Sequence, residues 1–227
     1  MPPEFARAAW LVARKDLAIE FRTKSAFYSA LVFSLLAIVV FYFAWDPTAV
    51  ASVDLAPGVL WVIFIFSGLL GLNRSFGMEL ADRALDALLV APVPREAIFA
   101  GKALANLLFV MGVQLLVVPA VFLVYNLAFG VELLVVLGLA LVAAIGLVAV
   151  GTLFSAMVSN TRLAELLLPM LALPFFVPIV LAAAQTSSRV IAGRPVAESL
   201  PWLQMLVAFD IVFVSACTLA FPYTLED

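Results

Sequence analysis

Six stretches of this chain, at about residues 26–45, 57–73, 103–125, 132–158, 164–185 and 201–223, carry almost no charge. Each is close to the roughly 20 mostly apolar residues that a helix needs to cross a bilayer. The second is the shortest, with room to extend to Phe76, and the fifth contains Pro169, Pro174 and Pro178. Prolines inside a span are tolerated where neighbouring helices re-satisfy the freed carbonyls, so kinks are expected there. The predicted fold is an all-α integral membrane protein, one polytopic domain over residues 1–227 with six transmembrane helices.

Composition agrees: 66% of the 227 residues are hydrophobic and 12% charged, where a soluble chain carries about 25% charge. The lone cysteine, Cys217, permits no internal disulfide framework or cysteine metal site. The absence of histidine removes histidine bases and histidine ligation of metal or haem from this chain. No catalytic or metal-binding set is expected, and nothing points to a nucleic-acid partner. Charges run through Arg7, Arg14, Lys15, Asp16, Glu20, Arg22 and Lys24, so the first apolar run is expected to be retained as an anchor instead of cleaved as a signal.

Orientation follows from the basic residues. With a cytoplasmic N-terminus, the inner segments hold Arg7, Arg14, Lys15, Arg22, Lys24, Arg74, Arg83, Arg95, Lys102 and Arg162, ten of the twelve. Only Arg189 and Arg194 then lie outside, and the outer 46–56 loop carries Asp46 and Asp54 without a cation. Tyr42, Trp45, Trp61, Tyr125 and Trp202 fall near the outer boundary, as an aromatic belt would. Both termini are therefore expected in the cytoplasm. Ahead of the first span, in residues 1–25, Trp10, Ala13, Leu17 and Phe21 recur at helical spacing beside Arg7 and Arg14. That pattern fits an interfacial helix against membrane lipids with snorkelling cations.

Residues 74–102 interrupt the apolar chain between the second and third spans. On a helical wheel, Glu79, Asp82, Arg83 and Asp86 cover one arc, and Leu80, Ala81, Ala84, Leu85, Ala87 and Leu88 the opposite one. Pro92 and Pro94 end this predicted short helix, since each lacks an N–H and restricts the residue before it. Gly101 and Lys102 mark the start of the third span. Such a helix can rest on the bilayer surface, but lipid-facing helices favour Lys and Arg. Three acids against one arginine suit a protein docking surface at least as well.

The pattern "RSFGMELADRALDALLVAPVPREAIFAGK" resembles the loop between the second and third spans of ABC-2-type exporter membrane subunits. There an acid-rich stretch and a leucine pair precede a proline and a lysine that opens the third span. Over its full length the chain is similar to the haem exporter protein B family of cytochrome c maturation. The stretch "LVARKDLAIEFRTKSAF" before the first span, six spans without a soluble domain, and the ending "QMLVAFDIVFVSACTLAFPYTLED" carry that likeness. Other ABC-2-type loops often have glycine where Ala84 stands; alanine favours a continuous helix by about 1 kcal/mol.

The resemblance implies a membrane subunit in the bacterial inner membrane, driven by a separate cytoplasmic P-loop ATPase that carries the ATP. It implies a coupling helix over 79–90 whose ATPase contacts come from Glu79, Asp82, Arg83 and Asp86, or else from Leu85, Leu88 and Leu89, with Pro92 as its stop. It also implies a homodimer, a haem-handling membrane subunit, a small single-span subunit, and haem as the substrate of the complex. Independently, the chain lacks a phosphate-cradling P-loop. Its one Gly-Lys pair, Gly101-Lys102, is followed by Ala103 and has Glu96 where the first glycine belongs.

Within the spans, Asp210 lies near the middle of the sixth and Gln114 at similar depth in the third. A carboxylate there costs at least about 2.5–3.5 kcal/mol, which marks it as a functional candidate. A neutral acid bonded to Gln114 is the structural alternative, since polar residues often join membrane helices. Thr152, Ser155 and Ser159 are expected to bond back to carbonyls of their own helix. Ala140 and Ala144 form a small-xxx-small pair that suits close helix packing. The six methionines form no haem-ligand cluster, and among possible ligands of this kind Met, Tyr and Cys remain. Two other functions stay open at this point: an exporter subunit for lipid, polysaccharide or drug, and a membrane scaffold without a substrate path.

Overall fold

The computed structural model describes residues 3–81, 93–159, 161 and 163–225. Its main elements are α1 (Pro3–Thr23), α2 (Ser25–Ala44), α3 (Ser52–Ala81), α4 (Arg95–Val124), α5 (Val131–Val158), α6 (Ala164–Ile191) and α7 (Leu200–Ala220). Two 3-10 turns, Val196–Ser199 and Phe221–Leu225, flank α7, and no strand occurs among the described residues. The six helices from α2 to α7 are long and apolar enough to cross a membrane.

The helix ends follow from local chemistry. In α1, Glu4 in the first turn and Arg22 in the last complement the helix dipole. The chain then turns at Lys24, whose φ of 53° is left-handed and unusual for a residue with a Cβ. Glu20 bridges that corner, its Oε1 accepting from the Phe27 amide at 2.9 Å in the first turn of α2. Pro94 precedes α4, and Pro201 occupies the start of α7. In α6, Pro169, Pro174 and Pro178 all lie inside one continuous helix, so the expected kinks do not break it. At 30 residues, α3 and α4 are each about 45 Å long. That exceeds the ~30 Å hydrocarbon layer, so both reach beyond it.

Packing sets α3 and α5 in the interior and leaves α2 and α7 outermost. One core joins α3, α5, α6 and α7 through Phe64, Leu72, Leu147, Leu168, Phe176 and Leu206. A second joins α2, α3 and α4 through Ile38, Leu60, Ile63, Val117, Val121 and Phe122. Ala140 and Ala144 are both buried in the first, as a small-residue contact requires. Faces of α2, α4, α6 and α7 that carry Leu36, Val40, Leu115, Met170, Val177, Ile211 and Leu219 are exposed, as side chains bathed in hydrocarbon would be.

Three sequence expectations are corrected by this packing. Trp61 is 1% exposed and does not join a lipid-facing belt; its Nε1 donates to Ser187 Oγ at 2.9 Å, between α3 and α6. The apolar stripe of α1 is divided. Ala13 is buried with Ala9 and Val12, while Trp10 and Phe21 point outward, because α4 takes the small-residue face. The start of the short helix expected over 79–90 is shifted, since α3 runs unbroken to Ala81; its remainder lies outside the described residues.

Candidate functional site

The residues that begin α4 are gripped from two directions at one end of the bundle. From α1, Asp16 Oδ2 lies 3.3 Å from Lys102 Nζ, and Asp16 Oδ1 lies 3.2 Å from Lys15 Nζ. The Lys102 side chain has no solvent exposure and that of Asp16 only 14%. Removing two charges from water costs several kcal/mol per ion, and good pairing is what offsets it. The helices approach closely beside the pair. A Cβ on Gly101 would meet the Ala9 carbonyl and lie 2.6 Å from the Val12 Cβ, so only glycine fits there.

From the C-terminus, Pro222 O accepts a hydrogen bond from Arg95 Nη1 at 3.0 Å. The rings of Phe99 and Phe221 pack at 5.2 Å, both nearly inaccessible. The amphipathic helix α1, the first turns of α4 and the Phe221–Leu225 turn therefore form one cluster. At the opposite ends of α2 and α4, Trp45 packs on Tyr125 at 5.7 Å and Tyr42 on Tyr125 at 6.1 Å. There Asp46 accepts from both the Thr48 hydroxyl and amide, and these bonds hold its carboxyl below its usual range.

Of the docking residues expected between the second and third spans, Asp82, Arg83, Leu85, Asp86, Leu88, Leu89 and Pro92 lie outside the described residues. Glu79 falls in the last turns of α3, where only the backbone is described. What the structure does place is the frame on each side: the end of α3 and the clamped start of α4.

Deeper in the bundle, the pairing of Gln114 with Asp210 is not formed. Gln114 Nε2 donates to Ser67 Oγ on α3 at 3.3 Å, and Gln114 Oε1 has no partner. Asp210 faces α5, its Oδ1 filling the notch where a Cβ on Gly146 would sit, also without a hydrogen-bond partner. The two residues face different helices, because α7 packs chiefly on α5 and α6 and only lightly on α4.

Two hydroxyls expected to bond within their own helix instead join helices. Thr152 Oγ1 accepts from Asn106 Nδ2 at 3.1 Å, and Ser155 Oγ donates to Leu72 O at 3.2 Å. Ser159 does bond back, to Ala156 O at 2.7 Å. Lys102, Asn106 and Gln114 thus form a buried polar face of α4, directed at α1, α5 and α3 in turn. Sequence reading treated Lys102 as a boundary marker and assigned Asn106 and Asp16 nothing. The available signal was the spacing of Lys102 and Asn106, one turn apart on a helix whose neighbours are apolar.

The family model described as CcmB protein matches residues 7–227. A Heme exporter protein B of Paracoccus denitrificans is 33% identical over 207 residues, covering 91% of this chain and 89% of that one. One from Rhodobacter capsulatus is 29% identical over 200 residues, covering 88% and 91%. One from Escherichia coli K12 is 32% identical over 108 residues, about half of each chain.

Proposed function

The chain belongs to the CcmB protein family, and on that premise we propose that it is the membrane subunit of an ATP-driven haem exporter in cytochrome c maturation. It is a multi-pass protein of the inner membrane, with six helices able to cross it. The observation that carries the reading is the match of nearly the whole chain to that family, together with relatives named Heme exporter protein B. A separate P-loop ATPase binds the segment between α3 and α4. Its cycle drives haem export, or the release of haem from a periplasmic carrier, and two copies of this chain serve two ATPase subunits. A haem-handling membrane subunit and a small single-span subunit complete the complex.

Geometry supports this assignment of ends. The cluster of α1, the start of α4 and the C-terminal turn holds Arg7, Arg14, Lys15, Arg22, Arg95 and Lys102, as a cytoplasmic end should. The segment proposed to receive the ATPase ends where that cluster begins. A lever needs a firm seat, and the start of α4 is anchored on two sides, to α1 through Lys102 and Gly101 and to the C-terminal turn through Arg95 and Phe99.

The test is purification of the tagged chain in mild detergent from its own membranes, with mass spectrometry of what accompanies it and a visible absorption spectrum. A P-loop ATPase with haem-handling partners is the expected result. An ATPase without such partners would favour an exporter of another substrate. Recovery of neither, from membranes in which other complexes survive, would leave a scaffold and refute the coupling reading.

A further inference from the structure

The N-terminal helix is attached to the bundle in an unusual way. Apart from its junction with α2, α1 packs almost wholly on α4. Its fastenings are the close approach at Gly101 and the Asp16–Lys102 pair. One turn beyond Asp16, Glu20 caps the first turn of α2 through the Phe27 amide. Between Glu20 and Phe27 the chain turns at left-handed Lys24. The span that follows, α2, is among the least enclosed of the six.

We propose that α1 is a connecting rod that carries movement of the start of α4 to α2, with Asp16–Lys102 as its inner joint and Glu20–Phe27 as its outer one. This rests on the reading above, in which an ATPase acts just ahead of α4. A mobile α4 start would drag its tightly packed neighbour with it, because interiors packed at crystal density shift as blocks and do not deform smoothly. A buried ion pair suits the joint. Apolar packing alone lets helices slide by a turn, whereas one charge pair in a dry interface fixes a single register. The Glu20 cap then ties the end of α1 to the first turn of α2, so displacement of α1 is not lost in a slack linker. As one of the two outermost spans, α2 can move with few contacts broken. Asp16, Lys102 and Glu20 are positioning residues in this scheme and touch no substrate.

The experiment uses the whole complex in its native membranes, with Asp16→Ala, Lys102→Met, Glu20→Ala and the exchange Asp16→Lys with Lys102→Asp. Three quantities are read: ATPase recovered with the tagged chain, ATP hydrolysis by the purified complex, and periplasmic holocytochrome c. The single variants are expected to keep the ATPase and its hydrolysis within about twofold while holocytochrome c falls roughly three- to thirtyfold, the range for residues that couple distant sites. The exchange is expected to recover at least half of the loss at the inner joint. Parallel loss of chain, ATPase and holocytochrome c would mean that these residues only hold the fold, and would overturn the rod. Wild-type holocytochrome c in the single variants, or no recovery on exchange, would overturn it too. If the wild-type chain itself brings no ATPase, the coupling reading has failed and the rod falls with it.

Discussion

Alanine at position 146 would place a methyl group where Asp210 Oδ1 now sits, with Ile179 Cδ1 and Phe209 Cδ1 each 3.2 Å away. The carboxyl cannot share that space, and the fully buried Ile179 and the partly buried Phe209 would each have to give by a few tenths of an ångström. Overpacking of this kind costs about 1–3 kcal/mol. For a chain of this size that corresponds to about 2–12 °C in midpoint, taking 2–4 °C per kcal/mol. Truncation of the partner should relieve the clash. In an Asp210→Ala background, where the carboxyl is gone, Gly146→Ala is expected to cost under about 1 kcal/mol, a coupling of at least 0.5 kcal/mol between touching residues. Asp210→Ala alone should be nearly neutral, because it deletes a buried oxygen that has no donor. Thermal unfolding of the detergent-solubilised chain, followed by size-exclusion of a fluorescent fusion, reads all four members of the cycle. Equal losses from Gly146→Ala with and without Asp210 would refute the notch, and so would a Gly146→Ala chain as stable as wild type.

Three further outcomes are expected from individual contacts. Asn106→Leu leaves the buried Thr152 hydroxyl without its donor and should cost about 1–3 kcal/mol, while Asn106→Leu with Thr152→Val should regain most of that; the same unfolding assay compares them. Trp61→Phe removes the bond to Ser187 and should cost at least the roughly 0.5–1.5 kcal/mol net value of a hydrogen bond, with Ser187→Ala adding little once it is gone. In the outer turn, the lowered pKa of Asp46 means that its bonds to Thr48 strengthen ionisation. That support is complete above the ordinary aspartate range and is lost as pH falls through the lowered value. Slowed exchange of the Thr48 amide should follow this titration, and Asp46→Asn should abolish its pH dependence.

The bundle was legible because a spanning helix is specified by one coordinate, a run of about 20 apolar residues, which any sequence displays. The polar contacts need a second coordinate, the azimuth of each side chain and the identity of the helix it meets. Gln114 and Asp210 were matched by position along their spans alone, yet α5 stands before Asp210 and α3 beside Gln114. The same gap explains Thr152 and Ser155. A hydroxyl in an apolar helix has its own i−4 carbonyl as a default acceptor; for Ser155 the Leu72 carbonyl takes that place, and Thr152 gains in Asn106 a donor from another helix that its own sequence neighbours do not reveal. Trp61 was assigned to the membrane boundary from its place near the end of a span, but Ser187 supplied a buried acceptor for its N–H, and an indole so paired can sit in the core.

The N-terminal helix shows how one pattern can satisfy two demands. Trp10, Leu17 and Phe21 beside Arg7 and Arg14 describe a surface for the membrane interface, and Trp10 and Phe21 do point outward. The residues that decide how α1 is held are instead the inconspicuous ones, Ala9, Val12, Ala13 and Asp16, small or short enough for α4 to come close. A helix that only floated on the bilayer would have no reason to direct an aspartate at a fully buried lysine. Lys102 lies about 10 Å inside the start of α4, fully buried, where a charge is costly and the Asp16 carboxylate helps to offset that cost. The pair is intelligible only if the relative position of the two helices matters more than the cost of burying it, and the segment just ahead of α4 is where a partner would exert force.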